Sequence, residues 1–198
     1  MSLLDATSAL PYLADTRVWL EKAVIGLNLC PFAHAVHSGG RIRWGVSDAR
    51  SEEELLNDLT GELKFLVAAD PEQIETTLLI HPFVLDDFME YNQFLEPAEA
   101  RLTELDLDGV IQLASFHPAY QFAGVDPDDI SHFTNRSPYP TLHLLRETSV
   151  TRAVEGFPEP ERIYEANIET LTQLGHAGWS RLGIPQPPPG CPAHRRTE

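Results

Sequence analysis

Two histidines at the ends of predicted strands are the first candidates for chemistry. His81 and His117 each close a β-rich run and are each followed by proline, in the dipeptides His81-Pro82 and His117-Pro118. Proline cannot donate to a strand ladder, so it turns the backbone out of the sheet and leaves the histidine at the rim. If the two strands are parallel, both imidazoles lie at the edge where open α/β sheets bind ligands.

A third histidine, His143, lies four residues before Glu147 in a predicted helix that begins near Pro140. Residues four apart share one helical face, so this pair could hold a metal ion. Imidazole and carboxylate ligands suit zinc, iron or manganese, and such sites leave a position open for water or substrate. The first hypothesis is a metal-dependent enzyme whose metal ligands are His81, His117, His143 and Glu147. The competing interpretation is that these residues bind no metal. His143 and Glu147 would then be an exposed pair on a helix, and the two strand-end histidines would only make structural hydrogen bonds.

Polar residues near the same segment could bind an anionic substrate. Arg146 carries a guanidinium that can hold a carboxylate or a phosphate through two N–H groups. Asn135, Arg136 and Ser137 stand at the exit of a long loop and offer further polar contacts. We therefore predict that these four residues bind a small anionic substrate.

Cys30 supports a second hypothesis, which is thiol chemistry. It stands where a predicted helix ends, directly before Pro31. The dipole of a helix C-terminus disfavours a thiolate, so Cys30 would need a histidine that the fold brings to it. In this hypothesis Cys30 is the nucleophile, His117 the base and Asn135 the group that orients the base. Across both enzyme hypotheses the catalytic candidates are Cys30, His117 and Glu147. The alternative interpretation of Cys30 is that it is a small buried residue whose thiol is inert.

A third hypothesis belongs to another class, a non-catalytic module that binds a small anionic ligand or a protein partner. The long loop 117–139 and two arginines, Arg136 and Arg146, motivate it. Loops of this length in compact domains are usually functional or disordered, and the aromatic residues of this one favour a packed loop. The sequence contains no Gly-rich phosphate loop, nucleophile elbow or His-Glu-x-x-His motif.

The composition narrows the class of protein. The 198 residues include 30 acidic and 14 basic side chains, which gives a formal net charge of −16. A field of this sign repels nucleic-acid backbones and anionic membranes, so we expect neither as a partner. The chain has 2 cysteines and neither a bilayer-spanning apolar run nor a basic leader. These features favour a soluble cytoplasmic protein.

Strand and helix signals alternate along the chain. Strands are predicted over 41–46, 76–80 and 110–116, and helices over 11–29, 51–70, 86–105, 140–155 and 159–174. This alternation predicts an α/β fold with a small three- or four-stranded, mainly parallel sheet flanked by helices. The alternative is a ferredoxin-like α+β sandwich. Residues 1–184 would form one globular domain, and the Pro-rich residues 185–198 a flexible tail.

Three longer segments resemble a known family. They run from Gly26 to Ala33 (GLNLCPFA), from Leu113 to Phe122 (LASFHPAYQF) and from Asn135 to Val150 (NRSPYPTLHLLRETSV). They are similar to the signature segments of the Domain of Unknown Function 1415 (DUF1415) family, and the similarity extends over about residues 16–183. The resemblance implies one soluble domain of this length. It implies no catalytic residue, cofactor or substrate.

Overall fold

A computed structural model describes residues 2–155 and 162–186 of the chain. The strands in this part are β1 (Ile42–Val46), β2 (Thr76–Ile80), β3 (Ile111–Phe116) and β4 (Thr141–Arg146). The helices are α1 (Ala6–Trp19), α2 (Ala33–Ser38), α3 (Glu52–Ala68), α4 (Phe88–Glu104), α5 (Glu147–Glu155) and α6 (Arg162–Arg181). From position 187 onward the predicted tail lies outside the described residues.

The described part of the chain also contains two short helical segments that are not α-helices. The chain continues from α1 into a π-helical segment, Leu20–Ile25, and a 3₁₀ turn, Ile130–Thr134, precedes β4. No helix in the described ranges is both long enough and apolar enough to cross a membrane.

The four strands form one sheet in the order β1-β2-β4-β3. β1 and β2 are parallel, and β4 runs antiparallel to both of its neighbours, β2 and β3. The predicted α/β fold with a four-stranded sheet flanked by helices is confirmed, but the sheet is mixed because β4 is reversed. Helices cover both faces of this sheet, whereas the ferredoxin-like alternative would place them on one.

Residues 141–146 form a strand, so the prediction of a helix that begins near Pro140 was wrong. β4 lies between two other strands and has helices on both sides, and its Leu142 and Leu144 are fully buried. A strand covered on both faces lacks the alternation of polar and apolar residues, and periodicity alone does not separate it from a helix. Helical structure begins only at Glu147.

The two helices that cover one face begin at capping residues. Ser51 accepts the N–H of Glu54 at the start of α3, at 3.3 Å. Asp87 accepts two N–H groups in the first turn of α4, at 2.8 and 3.0 Å. Caps of this kind stabilise a helix by about 1 kcal/mol each. α4 runs through Pro97 as a single helix, as the predicted helix over 86–105 requires.

Side chains along each strand alternate between two faces of the sheet. The face that we call the α4 face packs against α3 and α4 through a core that includes Leu59, Leu63, Leu79, Phe94, Leu142 and Leu144. The opposite face, which we call the α5 face, carries Trp44, Leu78, His143 and Phe116. It is covered by the end of α1, the π-helical segment, α2 and α5.

Candidate functional site

His81 and His117 lie on the α4 face, one on each side of a tyrosine. Tyr91 of α4 stacks between the two imidazoles, and its ring centroid is 5.7 Å from that of His81 and 5.1 Å from that of His117. The Tyr91 hydroxyl donates to the carbonyl of Thr141 at 3.0 Å. All three rings are buried. The two strand-end histidines therefore lie at one edge of the sheet.

Both imidazoles donate hydrogen bonds to main-chain carbonyls of the loop between β2 and α4. Nδ1–H of His81 donates to the carbonyl of Val84, and Nε2–H of His117 donates to the carbonyl of Leu85, each at 3.2 Å. Nδ1 of His117 accepts the N–H of Ala119 at 3.0 Å. Leu85 has a left-handed backbone, with φ of 60°, and a bulky residue rarely adopts this conformation without such restraints.

Burial keeps both of these histidines neutral. Removal from water lowers the pKa of His81 to about 3 and the pKa of His117 to about 4. Both ring nitrogens of His117 are already hydrogen-bonded to the backbone. Nε2 of His81 is buried and has no hydrogen-bond partner within the described residues. His117, predicted as a base and a metal ligand, thus has no ring nitrogen free for either role.

His143 lies on the other side of the sheet from His81 and His117. It occupies the middle of β4, opposite Leu78 of β2, and its side chain points to the α5 face. Glu147 follows four residues later at the start of α5, a separation of roughly 13 Å at strand spacing. The four predicted metal ligands therefore do not converge. Among the residues described, no group of three or more His, Cys, Asp or Glu side chains is placed to hold a metal ion.

Arg146 directs its guanidinium to the end of α3. Nη2 donates to the carbonyls of Leu66 at 2.6 Å, Ala69 at 2.9 Å and Ile74 at 3.2 Å. The residue is 8% exposed, and a cation at a helix C-terminus offsets the partial negative charge of the last carbonyls. The guanidinium that the sequence suggested for substrate binding therefore already donates its hydrogen bonds to main-chain carbonyls.

The three other predicted substrate-binding residues stabilise the loop that precedes β4. Each donates a side-chain hydrogen bond to a main-chain carbonyl: Asn135 to Ser115 (3.1 Å), Arg136 to Tyr120 (3.2 Å) and Ser137 to Tyr139 (2.6 Å). The Arg136 guanidinium also lies 4.4 Å from the ring centroid of Phe133, and burial lowers the pKa of this arginine. The loop is packed, as its aromatic residues predicted.

A cavity of about 620 Å³ lies on the α5 face of the sheet. Residues from β1, β2, β3 and β4 contribute to its floor, and the π-helical segment, α2 and α5 contribute its walls. Its lining is mostly apolar and includes Trp19, Leu20, Val24, Phe32, Leu78 and Phe116. Small-molecule sites typically occupy about 300–1,000 Å³ and combine an apolar lining with a few polar groups. The cavity therefore has the size and the lining of a small-molecule site.

Three polar side chains in the cavity wall have no partner within the described ranges. They are Gln112 of β3 and Ser149 and Arg152 of α5, none of which makes a side-chain hydrogen bond or an ion pair there. Arg41 and Glu75 also line the cavity but neutralise each other in an ion pair of 2.9 Å. Unpaired polar groups in an apolar pocket are the groups that orient a ligand.

His143 offers a hydrogen-bond acceptor to the cavity. The Thr76 hydroxyl donates to the carbonyl of Leu144, so it accepts from His143, whose Nε2 lies 2.8 Å away. Nε2 therefore carries the proton, and burial lowers the pKa of His143 to about 4, which keeps the ring neutral. Nδ1 then carries a lone pair and makes no hydrogen bond to any residue that the structure describes. A ligand O–H or N–H could donate to this atom.

Cys30 lines the same cavity, but not at the end of a helix. The π-helical segment ends at Ile25, and Cys30 stands shortly before α2. Burial raises the pKa of the Cys30 thiol, and the nearby backbone N–H groups of Phe32 and Ala33 offset this only in part. The predicted base His117 lies on the α4 face, so the cysteine and histidine of the thiol hypothesis are on opposite sides of the sheet.

Sequence reasoning named Cys30 and His143, which line the cavity, but it missed Gln112, Ser149 and Arg152 and expected the site at the carboxyl ends of the strands. The cavity instead lies on a sheet face. One signal was present in β3, where Gln112 alternates with Ala114 and Phe116. A glutamine on an otherwise apolar, covered face indicates a polar partner. Ser149 and Arg152 gave no comparable signal, because polar residues are ordinary in an exposed helix.

A comparison with known protein families gives a match over most of the chain. A family model described as "Protein of unknown function (DUF1415)" matches residues 12–181. No curated protein and no solved structure matches the chain. The matched range contains the three segments that suggested the resemblance and every cavity residue named above. The chain therefore belongs to the DUF1415 family of proteins of unknown function.

Proposed function

We propose that the protein binds a small, mainly apolar molecule in the cavity on the α5 face. The observation that carries the proposal is the cavity itself, about 620 Å³ with a largely apolar lining. Partnerless polar groups in its wall, Gln112 and Ser149, would orient the ligand, together with Nδ1 of His143. The proposal shares its class, a non-catalytic binding module, with the third hypothesis from the sequence, but that hypothesis expected a small anionic ligand or a protein partner near Arg136 and Arg146.

Binding is favoured over catalysis because of the state of the candidate catalytic groups. The lowered pKa of His143 makes it a weak base at neutral pH. The raised pKa of Cys30 keeps its thiol protonated, and a thiol is a poor nucleophile. A metal-dependent reaction at His81, His117, His143 and Glu147 stays a prediction without support from their positions.

Charge and cysteine content extend the proposal to the cellular setting. The formal net charge of −16 disfavours nucleic acid as a partner. A chain with only 2 cysteines suits a reducing compartment, and we place the protein in the cytoplasm.

A neutral fluorescent probe tests the proposal, because its binding depends on an apolar cavity and not on the identity of the natural ligand. N-phenyl-1-naphthylamine becomes brighter in apolar surroundings, and we expect saturable binding of one molecule per chain. Ala114→Phe would fill the cavity floor from β3, and Ala153→Phe would fill it from α5. Either change should weaken probe binding by about tenfold or more, because overfilled space excludes the ring system.

Ala100→Phe is the matched control, since Ala100 is exposed on α4 and a phenyl group there should leave probe affinity unchanged. Circular dichroism and urea unfolding verify that each variant is folded. Probe binding that is unaffected by both cavity variants, in folded protein, would show that the probe binds elsewhere and would reject the proposal.

A further inference from the structure

We infer that the ligand is an amphiphile, with an anionic head group beside Arg152 and an apolar tail that lies over the sheet toward Trp19 and Phe116. The inference rests on the proposed function and adds the chemical class of the ligand. It depends on the distribution of polar and apolar groups along the cavity.

The polar end of the cavity lies where β1, β2 and β3 begin. Arg41 directly precedes β1, Glu75 directly precedes β2 and Gln112 is the second residue of β3. β4 is antiparallel to its neighbours, so its last residue lies at this same edge. α5 starts immediately after β4 and brings Ser149 and Arg152 to the polar end.

The apolar end lies toward the opposite edge of the sheet. Phe116 is the last residue of β3, and its ring centroid is 5.1 Å from that of Trp19. Leu20 and Val24 of the π-helical segment complete this end. Gln112 and Phe116 are four residues apart on one strand, which corresponds to roughly 13 Å. A ligand that spans the cavity therefore meets polar groups at one end and an aromatic, aliphatic wall at the other.

Arg152 is the cation at the polar end whose guanidinium has no partner among the described residues. Arg146 also lines the cavity, but its guanidinium donates to three main-chain carbonyls. Arg41 and Glu75 form an ion pair there and cancel each other, at 2.9 Å. Arg152 is exposed, lines the cavity, and has no carboxylate partner in the described part of the chain. An unpaired guanidinium beside an apolar cavity favours a carboxylate or another anionic head. This local cation stands on a chain of net charge −16, so its attraction opposes the field of the whole protein.

The middle of the cavity adds a polar contact between these two ends. His143 lies between Leu78 of β2 and Ala114 of β3 in the row of the sheet that follows Gln112. Its neutral ring presents Nδ1 as an acceptor, which repels a carboxylate but accepts a hydroxyl or amide proton. An anionic head is therefore best accommodated at the Arg152 end and not at His143.

Three compounds with a twelve-carbon chain and different head charges test the inference: dodecanoate, dodecan-1-ol and dodecyltrimethylammonium. The two ionic compounds are titrated below their critical micelle concentrations, and dodecan-1-ol below its solubility limit, against protein loaded with N-phenyl-1-naphthylamine. Dodecanoate should displace the probe at a concentration roughly fivefold lower than dodecan-1-ol, and the cation should be the weakest competitor. Arg152→Ala should remove the advantage of dodecanoate and leave dodecan-1-ol unchanged.

Arg181→Ala is the matched control, because Arg181 is an exposed arginine outside the cavity lining. It changes the net charge equally and should preserve the preference for dodecanoate. Equal displacement by dodecanoate and dodecan-1-ol would overturn the anionic head and leave the proposed function standing. Displacement by neither compound would overturn the amphiphile, whereas failure of the probe to bind would overturn the proposed function. A parallel loss of both affinities in Arg152→Ala would also contradict a head-group role.

Discussion

Acidification from pH 7 to pH 5 should destabilise the protein through His81, His117 and His143. In the folded chain burial lowers the pKa of His81 to about 3 and the pKa values of His117 and His143 to about 4. In the unfolded chain these groups have the ordinary histidine pKa of about 6.5. As the pH falls below that value, the unfolded chain takes up protons that the folded chain does not, so folding becomes less favourable.

The size of the effect follows from the pKa differences. Each histidine costs up to about 1.4 kcal/mol per pH unit between its unfolded and folded pKa, which amounts to about 2 kcal/mol at pH 5. His81, His117 and His143 together would remove about 6 kcal/mol of the free energy of unfolding. Small domains have only about 5–15 kcal/mol in total, so the loss is large. Above the unfolded pKa of about 6.5 the same groups contribute no pH dependence.

Urea unfolding at pH 7, 6 and 5 measures this loss. His117→Gln removes one of the three titrating groups, so this variant should lose about 2 kcal/mol less than the wild type between pH 7 and pH 5. His34→Gln is the control, because His34 is exposed and its replacement should leave the wild-type pH dependence intact. If wild type and His117→Gln lose the same free energy over this range, the linkage of stability to the buried imidazole is refuted.

Three further predictions concern residues that the sequence singles out. Arg146→Met should lower the free energy of unfolding by about 3 kcal/mol, because three carbonyls lose a cationic donor; a loss below about 1 kcal/mol would contradict the role of this cap. In a Cys191→Ser background, alkylation of Cys30 by iodoacetamide should need a higher pH than alkylation of glutathione, because burial raises the pKa of this thiol; half-maximal alkylation at a lower pH than glutathione would support the thiol hypothesis. Elemental analysis should find the same zinc, iron and manganese content in wild type and in the His143→Ala/Glu147→Ala variant, and a selective loss in the variant would support the metal hypothesis.

The fold class could be predicted because β1, β2 and β3 have strong local signals. Turn residues bound each of these strands, and helix caps such as Ser51 and Asp87 mark the starts of α3 and α4. β4 could not be recognised in the same way. Its Leu142 and Leu144 face one helical layer while His143 and Leu145 face the other side. A strand covered on both faces resembles a helical segment in sequence, and its place between two distant strands is a tertiary property.

The error in β4 explains the error in the predicted site. Strand alternation places His143 and Arg146 on opposite faces of the sheet, whereas a helix would have kept His143 and Glu147 together. The sequence correctly identifies His81 and His117 as strand-end residues. It does not show that both imidazoles stack on Tyr91 and donate hydrogen bonds to carbonyls of the loop between β2 and α4. Contacts of this kind depend on how the elements pack.

The cavity is the feature least accessible to sequence reasoning. Its wall combines the π-helical segment, α2, all four strands and α5, which are separated by more than a hundred residues along the chain. No local pattern records an unfilled space between such elements. Only Gln112, a polar residue on an apolar strand face, gave a local indication of it.

A crystal structure of the protein with dodecanoate would test the central claim most directly, because it shows where the ligand lies. We predict that the alkyl chain occupies the cavity against Trp19 and Phe116, with the carboxylate beside Arg152. Dodecanoate bound at another surface, with the cavity unchanged, would contradict the account.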